Sequence, residues 1–291
     1  VDWLEKFEEE LKQTGKSQNT IISYCTDIKE FLKWFSDTYA KEFDGRILEQ
    51  DVREYRNYLL NIAKLKPSSI NRKMAALKNF NQFLIQTGTG IEADICGISV
   101  ADIHDREIRT ISRNELNRLK RAVYASGNKR DIALIELLIG TGVRVSELVS
   151  LTTEDIHLTA RNGKENYSYI VIRNGKGNKY REIPLNSQVK KALEEYLVTR
   201  SHLSGRIFIG QRGPLRRESV DKIIKKYCRM AGIEEISAHV LRHTFCTRLM
   251  SENVPIPIIS KLAGHSSIQT TMDFYVRVSR ADKTAAVEKL T

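Results

Sequence analysis

The sequence predicts a mainly α-helical protein with one small antiparallel β-sheet, divided into two domains. Three observations carry that expectation. Apolar residues recur at three- and four-residue spacing through most of the chain, one alternating stretch surrounds a Gly-Lys-Gly turn, and the net charge changes abruptly along the sequence. Residues 1–86 hold 14 basic and 13 acidic side chains, 87–108 hold one and five, and 109–291 hold 32 and 18, so the formal charge of +11 resides in the C-terminal part. With 291 residues and 41% apolar content, each domain has enough material for a core of its own.

The first domain, residues 1–86, reads as four helices. From Asp2 to Lys12, Trp3, Leu4, Phe7 and Leu11 share one face. A second helix follows Ser17, with Ile21, Tyr24, Ile28, Phe31, Leu32 and Phe35 inward. The third runs from about Glu49 to Ile62 on Val52, Tyr55 and Leu59, and the fourth starts at Pro67 with Ile70, Met74, Leu77, Phe80 and Leu84 inward. Ser68, Ser69, Asn71, Arg72, Lys73 and Lys78 are expected on the outer face of that fourth helix, where such groups reach phosphates and base edges. A merely solvated helix face explains them as well. Residues 87–108 mix Gly, Thr and acids without period and read as a linker.

The second domain, residues 109–291, opens with a helix whose start is marked by Ser112 and, three residues on, Glu115, a capping-box pair. Asp131 to Ile139 is almost wholly apolar, which predicts a buried helix ending at Gly140. The next helix, in TGVRVSELVSL, carries Arg144 and Glu147 one turn apart. YSYIVIR and YREIPL flank NGKGNK and predict a hairpin with Lys176 at its tip, after which helices resume to the C-terminus. Residues 279–291 read as a short tail helix, with a capping pair Ser279 and Asp282 ahead of Ala285, Ala286, Val287 and Leu290.

Composition bounds the function. The positive C-terminal field favours a polyanionic partner, and nucleic acid is the usual one. No run approaches the roughly 18 apolar residues of a membrane span, and the N-terminus has no secretory layout, so no membrane partner and a cytoplasmic location are expected. Cys25, Cys96, Cys228 and Cys246 lie far apart, which predicts buried thiols and neither disulfides nor a cysteine zinc site.

Polar residues of the second domain stand where folding alone does not ask for them. Arg144 lies in an apolar run. His239, Arg242 and His243 cluster in HVLRHTF, with His239 and Arg242 one turn apart, His265 follows Gly264, and Tyr275 comes ten residues later. Each has an ordinary explanation: Arg144 pairs with Glu147, Tyr275 fills a core, and the two histidines at i, i+4 suggest a metal. The glutamate of H-E-x-x-H and a third ligand are missing, so no metal is expected. Together the residues fit phosphoryl transfer. Two arginines offer bidentate forks to a phosphate that gains charge, histidines exchange protons near neutrality, and a lysine can protonate a leaving oxygen. The nucleophile would be Tyr275. Ionising a phenol of pKa about 10 at pH 7 costs roughly 4 kcal/mol, which neighbouring cations and a base can offset.

The blocks TGVRVSEL, GKGNKYREIPL, HVLRHTFCTRLM and LAGHSSIQTTMDFY, in this order between residues 140 and 275, resemble the tyrosine recombinases, most nearly the Xer proteins and short phage-type integrases. The helical first domain is similar to the family's core-binding, SAM-like domain, and the second to its mixed α/β catalytic domain. The resemblance implies that Arg144 and Arg242 grip the scissile phosphate, Lys176 is the general acid for the 5′ oxygen and His239 helps deprotonate the nucleophile. It implies that His265 donates to a non-bridging oxygen, that Glu147 and His243 support these groups, and that Tyr275 forms a 3′-phosphotyrosyl link. It further implies no cofactor, no ATP and no metal, a double-stranded DNA recombination site as partner, and a homo-tetramer on two duplexes in which the tail docks on a neighbouring protomer or on its own domain. The additional N-terminal arm-binding domain of larger integrases is not expected.

This chain departs from the commonest pattern at Ala263, where leucine is frequent, at Val276 and Arg277, and in a His265 to Tyr275 spacing one residue longer than in many Xer proteins. The expected function is site-specific recombination, either chromosome dimer resolution or integration and excision of a mobile element. Three alternatives remain at this point: relaxation of supercoils by a type IB topoisomerase, a non-enzymatic helical DNA-binding regulator, and a metal-dependent nuclease.

Overall fold

The computed structural model describes residues 3–91, 109–159, 167–173, 180–200 and 205–265. The chain divides into two compact units, Val1–Arg106 and Glu107–Thr291.

In the first unit, α1 (Trp3–Gln13) and α4 (Pro67–Gln86) pack on α2 (Gln18–Tyr39). The hydroxyl of Ser17 accepts the N–H of Thr20 at 3.2 Å and so caps α2. Pro67 opens α4 where a missing N–H costs nothing. The expected third helix is α3 (Glu49–Asn57), which continues through a π-helical turn, Tyr58–Ile62. The core is aromatic: Phe31 meets Tyr55 edge-on with ring centroids 5.1 Å apart, and Phe7 meets Phe80 likewise at 5.1 Å. Burying rings of this size stabilises by about 1.5–3 kcal/mol each.

The second unit begins with α5 (Arg113–Ala125). Its capping box is complete, with Ser112 Oγ accepting from Glu115 N and Glu115 Oε2 accepting from Ser112 N. The buried helix α6 (Lys129–Thr141) does not stop at Gly140 as expected. It runs two residues further to Gly142, which ends it in the left-handed region at φ +61. The expected helix after it is α7 (Val145–Ser150). An antiparallel sheet follows in the order β1 (Ile156–His157), β2 (Tyr169–Ile172), β3 (Arg181–Pro184), with Ile170 opposite Ile183 and Ile172 opposite Arg181. Strands β2 and β3 are the two arms of the predicted hairpin; its turn and Lys176 lie outside the described residues.

After α8 (Ser187–Val198) the expectation of helices alone is corrected by a second, two-stranded sheet of β4 (Ile209–Gly210) and β5 (Gly213–Pro214). Among the described residues the last elements are α9 (Arg217–Ala231), α10 (Ala238–Ser251) and α11 (Ile256–Ala263). The core gathers α6, α8, α9 and the inward isoleucines of the sheet, and α10 and α11 close it. Cys228 and Cys246 are buried free thiols and Cys25 is a half-buried one. Cys96 and the tail, residues 279–291, lie outside the described residues.

Candidate active site

The site is built on two chain reversals. Gly142 ends α6, and a side chain there would also place its Cβ 2.3 Å from Phe245 Cδ1, so no other residue fits. The turn delivers Arg144 not into a helix but to the position just before α7, with an extended backbone (φ −68, ψ 147). At the other reversal Gly264 ends α11 with φ +68, and His265 follows.

Glu147, buried in the first turn of α7, joins the pieces. Its Oε2 accepts the backbone N–H of Arg144 at 2.8 Å and its Oε1 accepts Arg144 Nη1 at 2.9 Å. Arg181, the first residue of β3, donates Nη1 to Oε1 at 3.0 Å and Nη2 to Oε2 at 2.7 Å. Burial by itself would raise the Glu147 pKa, but the Arg181 fork and the Arg144 N–H and charge overcome it and hold the carboxyl below its ordinary range. Arg144 Nη2 also donates to the carbonyl of Gly264 at 2.6 Å, so the two reversals are tied directly.

Arg242, on α10, is 4% exposed and donates Nη1 to the carbonyl of Gly142 at 2.7 Å. Burial, then the charge of Arg144, pushes its pKa down to about 10, which leaves it a cation at neutral pH. The imidazoles are lowered too, and this keeps them uncharged. His265 is pushed down to about 4 by burial, then by Arg242, Arg144 and Arg181. His243 is also pushed to about 4, by burial, then by His239 and Arg242, and its ring meets that of His239 edge-on at 4.1 Å. His239, at the solvent side of α10, is lowered by burial and then by Arg242 and Arg144. All three are therefore neutral at pH 7, able to accept one proton and donate another.

The structure thus brings together Arg144, Glu147, His239, Arg242, His243 and His265. Lys176 and Tyr275 lie outside the described residues. Arg181 was not singled out from the sequence. The signal was present, because the period of two places Arg181 on the same strand face as buried Ile183. Three guanidinium groups face one carboxylate here, an excess of cation that suits an anionic ligand. Among the described residues no group of His, Cys, Asp or Glu is arranged to hold a metal ion.

Two family models match the chain: the phage integrase family over residues 109–282, and the phage integrase N-terminal SAM-like domain over 4–88. The chain belongs to the phage integrase family. Relatives include a TnP I resolvase from Bacillus thuringiensis, 34% identical over 281 residues, covering 94% of each protein. The tyrosine recombinase XerA of Pyrococcus horikoshii is 30% identical, covering 99% of this chain and 93% of that protein. Among solved structures, a XerA recombinase matches with a TM-score of 0.53 and 26% identity over 99% of this chain and 97% of that one. The fold is shared with a XerH recombinase bound to palindromic difH DNA, at a TM-score of 0.76 and 20% identity over 97% of this chain and 85% of that one. The chain is a tyrosine recombinase of the Xer type.

In the recombinase's SAM-like domain the expected DNA-reading face of α4 is corrected at one position. Ser68 and Arg72 are exposed, and Ser69 and Asn71 partly so, but Lys73 is 4% exposed and turned inward. Its ammonium donates to Asp27 Oδ1 at 3.0 Å and Glu30 Oε2 at 2.7 Å, and Arg72 pairs with the same Asp27. Lys73 therefore holds α4 to α2. Lys78 is exposed. No helix among the described residues is long and apolar enough to cross a membrane.

Proposed function

We propose that this recombinase cuts and rejoins two specific DNA duplexes through a 3′-phosphotyrosyl intermediate on Tyr275. The phenolic oxygen attacks the scissile phosphorus, the bond to the 5′ oxygen breaks, and that oxygen leaves as a hydroxyl. In the second half the 5′ hydroxyl of the partner strand attacks the phosphotyrosine and releases Tyr275. Because the ester retains the energy of the cleaved bond, neither ATP nor a metal is required.

Arg144 and Arg242 hold the non-bridging oxygens, where charge builds up and fixed donors are most effective. His265 adds a neutral N–H donor, and His239 accepts the phenolic proton. Lys176 protonates the departing 5′ oxygen, while Glu147 and His243 hold the reacting side chains in place. The observation that carries this reading is the cationic excess: Arg144, Arg181 and Arg242 against the single carboxylate of Glu147. Such a cluster repels itself until an anion joins it, and a phosphodiester supplies one in the right shape.

Within this reading residues 1–86 form the core-binding domain, 87–108 a linker and 109–291 the catalytic domain. Ser68, Ser69, Asn71, Arg72 and Lys78 face the duplex. Four copies assemble on two duplexes in the cytoplasm, and the tail, residues 279–291, docks on a neighbouring protomer. A helix as short as the sequence predicts there is not stable alone in water, which favours a receptor for its apolar residues.

The test is to trap the intermediate. Duplexes selected by this protein from a randomised pool, nicked so that cleavage releases a short fragment, should yield a denaturation-resistant protein-DNA adduct. Tyr275→Phe should bind the same duplexes and form none. An adduct that survives in Tyr275→Phe, or none with the wild-type protein, overturns the reading.

A further inference from the structure

Glu147 presents a difficulty for phosphate binding. Its carboxylate lies 2.9 Å from Arg144 Nη1, and a carboxylate that close cancels much of the charge Arg144 has to offer. Arg181 removes the difficulty. It covers both oxygens of Glu147 with a parallel pair of N–H donors, the strongest geometry a guanidinium offers a carboxylate. The three groups together carry one net positive charge, and the exposures say which cation is available: the Arg144 side chain is 31% exposed, that of Arg181 only 11%. Arg144 faces the space a ligand can reach, and Arg181 stands behind it.

Arg181 also fixes geometry. Its Nε donates to the carbonyl of Leu262 at 3.1 Å, in the last turn of α11, and its guanidinium lies so close to Gly264 that a Cβ there would be 2.6 Å from Cζ. Gly264 is the residue whose carbonyl receives Arg144 and whose turn leads into His265. One side chain on β3 therefore sets the carboxylate that orients Arg144 and the helix end that delivers His265. Arg144 and Arg181 both bond Glu147 and the end of α11.

Resting on the phosphoryl-transfer reading above, we infer that Arg181 is a positioning residue of the cleavage reaction, which neutralises Glu147 so that Arg144 keeps its charge for the scissile phosphate. A buried pair of this kind can also serve folding alone, and the two roles differ in what a second substitution does. If Arg181 only braces the fold, removing Glu147 as well relieves the stranded carboxylate in melting but leaves the saturated rate of the folded protein unchanged. If it shields Arg144, removing Glu147 as well relieves the uncompensated carboxylate and restores rate.

The experiment measures single-turnover adduct formation at saturating duplex, duplex affinity and thermal melting, on the full chain carrying Arg181→Gln, Arg181→Lys, Glu147→Gln and the double substitution. Arg181→Gln should lower the saturated rate by about 100-fold, in the range of losing one transition-state donor, with affinity changed by less than about threefold. Arg181→Lys should recover roughly a tenth to a third of the wild-type rate, since it restores charge without the fork. The double variant should cleave at least about tenfold faster than Arg181→Gln. If Arg181→Gln melts below the assay temperature, the double variant is compared with Glu147→Gln, and a loss of less than threefold on removing Arg181 where no carboxylate remains supports the shielding role. Arg181→Gln cleaving within threefold of wild type, or a double variant no faster than Arg181→Gln or far slower than Glu147→Gln, overturns the inference. A wild-type protein that forms no adduct at all would instead sink the underlying reading.

Discussion

Arg242 Nη1 donates to the carbonyl oxygen of Gly142 at 2.7 Å, which binds α10 to the turn that presents Arg144. Two guanidinium groups 98 positions apart in the chain are thereby registered by one backbone atom. The relationship depends on a turn that only glycine makes there, because its φ is +61 and Phe245 occupies the place of a side chain. Geometry at the proposed phosphate site and stability of the second unit are therefore linked at Gly142.

Gly142→Ala is expected to lose both. Left-handed backbone on a non-glycine residue costs about 1–3 kcal/mol, and forcing a methyl group into a packed neighbour costs a similar amount. For a unit of this size each kcal/mol lowers Tm by about 2–4 °C, so a fall of roughly 4–24 °C is expected by calorimetry. An unchanged Tm would show that the turn tolerates a side chain.

Arg242→Lys keeps the charge and loses the planar fork. A lysine reaching Gly142 cannot at the same time present paired N–H groups to a phosphate. Adduct formation at saturating duplex should fall by about 10²–10³, the usual loss for one fixed oxyanion donor, with binding little altered. A loss confined to affinity would place Arg242 in binding and not in cleavage.

The imidazoles give the catalytic unit an acid limit. His243 and His265 are held near 4 in the folded state against an ordinary value of about 6.5, so between these values the unfolded chain binds more protons than the folded one. Stability is then complete above about pH 6.5 and declines as pH falls towards 4. Melting followed across that range should show Tm dropping with acidity, and the slope should flatten in His265→Gln. A flat profile in the wild-type protein would contradict the burial of these rings as neutral groups.

Much of this was legible in the residues because it is local. Ser112 with Glu115 announces the start of α5, Ser17 that of α2, and Pro67 that of α4, since each acts within one turn of its own position. Arg144, Arg242 and His265 stand where folding alone does not ask for polar groups, and the fold gathers them. What escaped was tertiary. Arg181 earns its place from Glu147, 34 residues away, and Leu262, 81 away, and only the strand period hinted that it faced inward. Strands of two residues, such as β1, β4 and β5, are too short for any period to register.

Lys73 was misplaced although its spacing carried the signal. It lies three residues after Ile70 and one turn before Leu77, on the stripe that α4 buries, and Asp27 lies on the corresponding stripe of α2 between Tyr24 and Ile28. Opposite charges in two facing apolar stripes announce a buried pair, and the structure closes it at 3.0 Å with both side chains almost fully covered. Such a pair contributes little net stability as formed, but breaking it strands a charge, at a cost of about 3–5 kcal/mol. Asp27→Ala, which leaves the Lys73 ammonium buried beside only the exposed Glu30, should therefore destabilise the SAM-like unit by that amount. Lys73→Met should cost less, because Arg72 remains to pair with Asp27. Neither change removes a group that reaches DNA, so the slope of log affinity against log salt should stay as in wild type, whereas losing a phosphate-contacting cation would reduce it by about one. Denaturant melts read the first effect and salt titrations the second. A shallower salt slope in Lys73→Met would return this lysine to the face of α4 proposed to meet DNA.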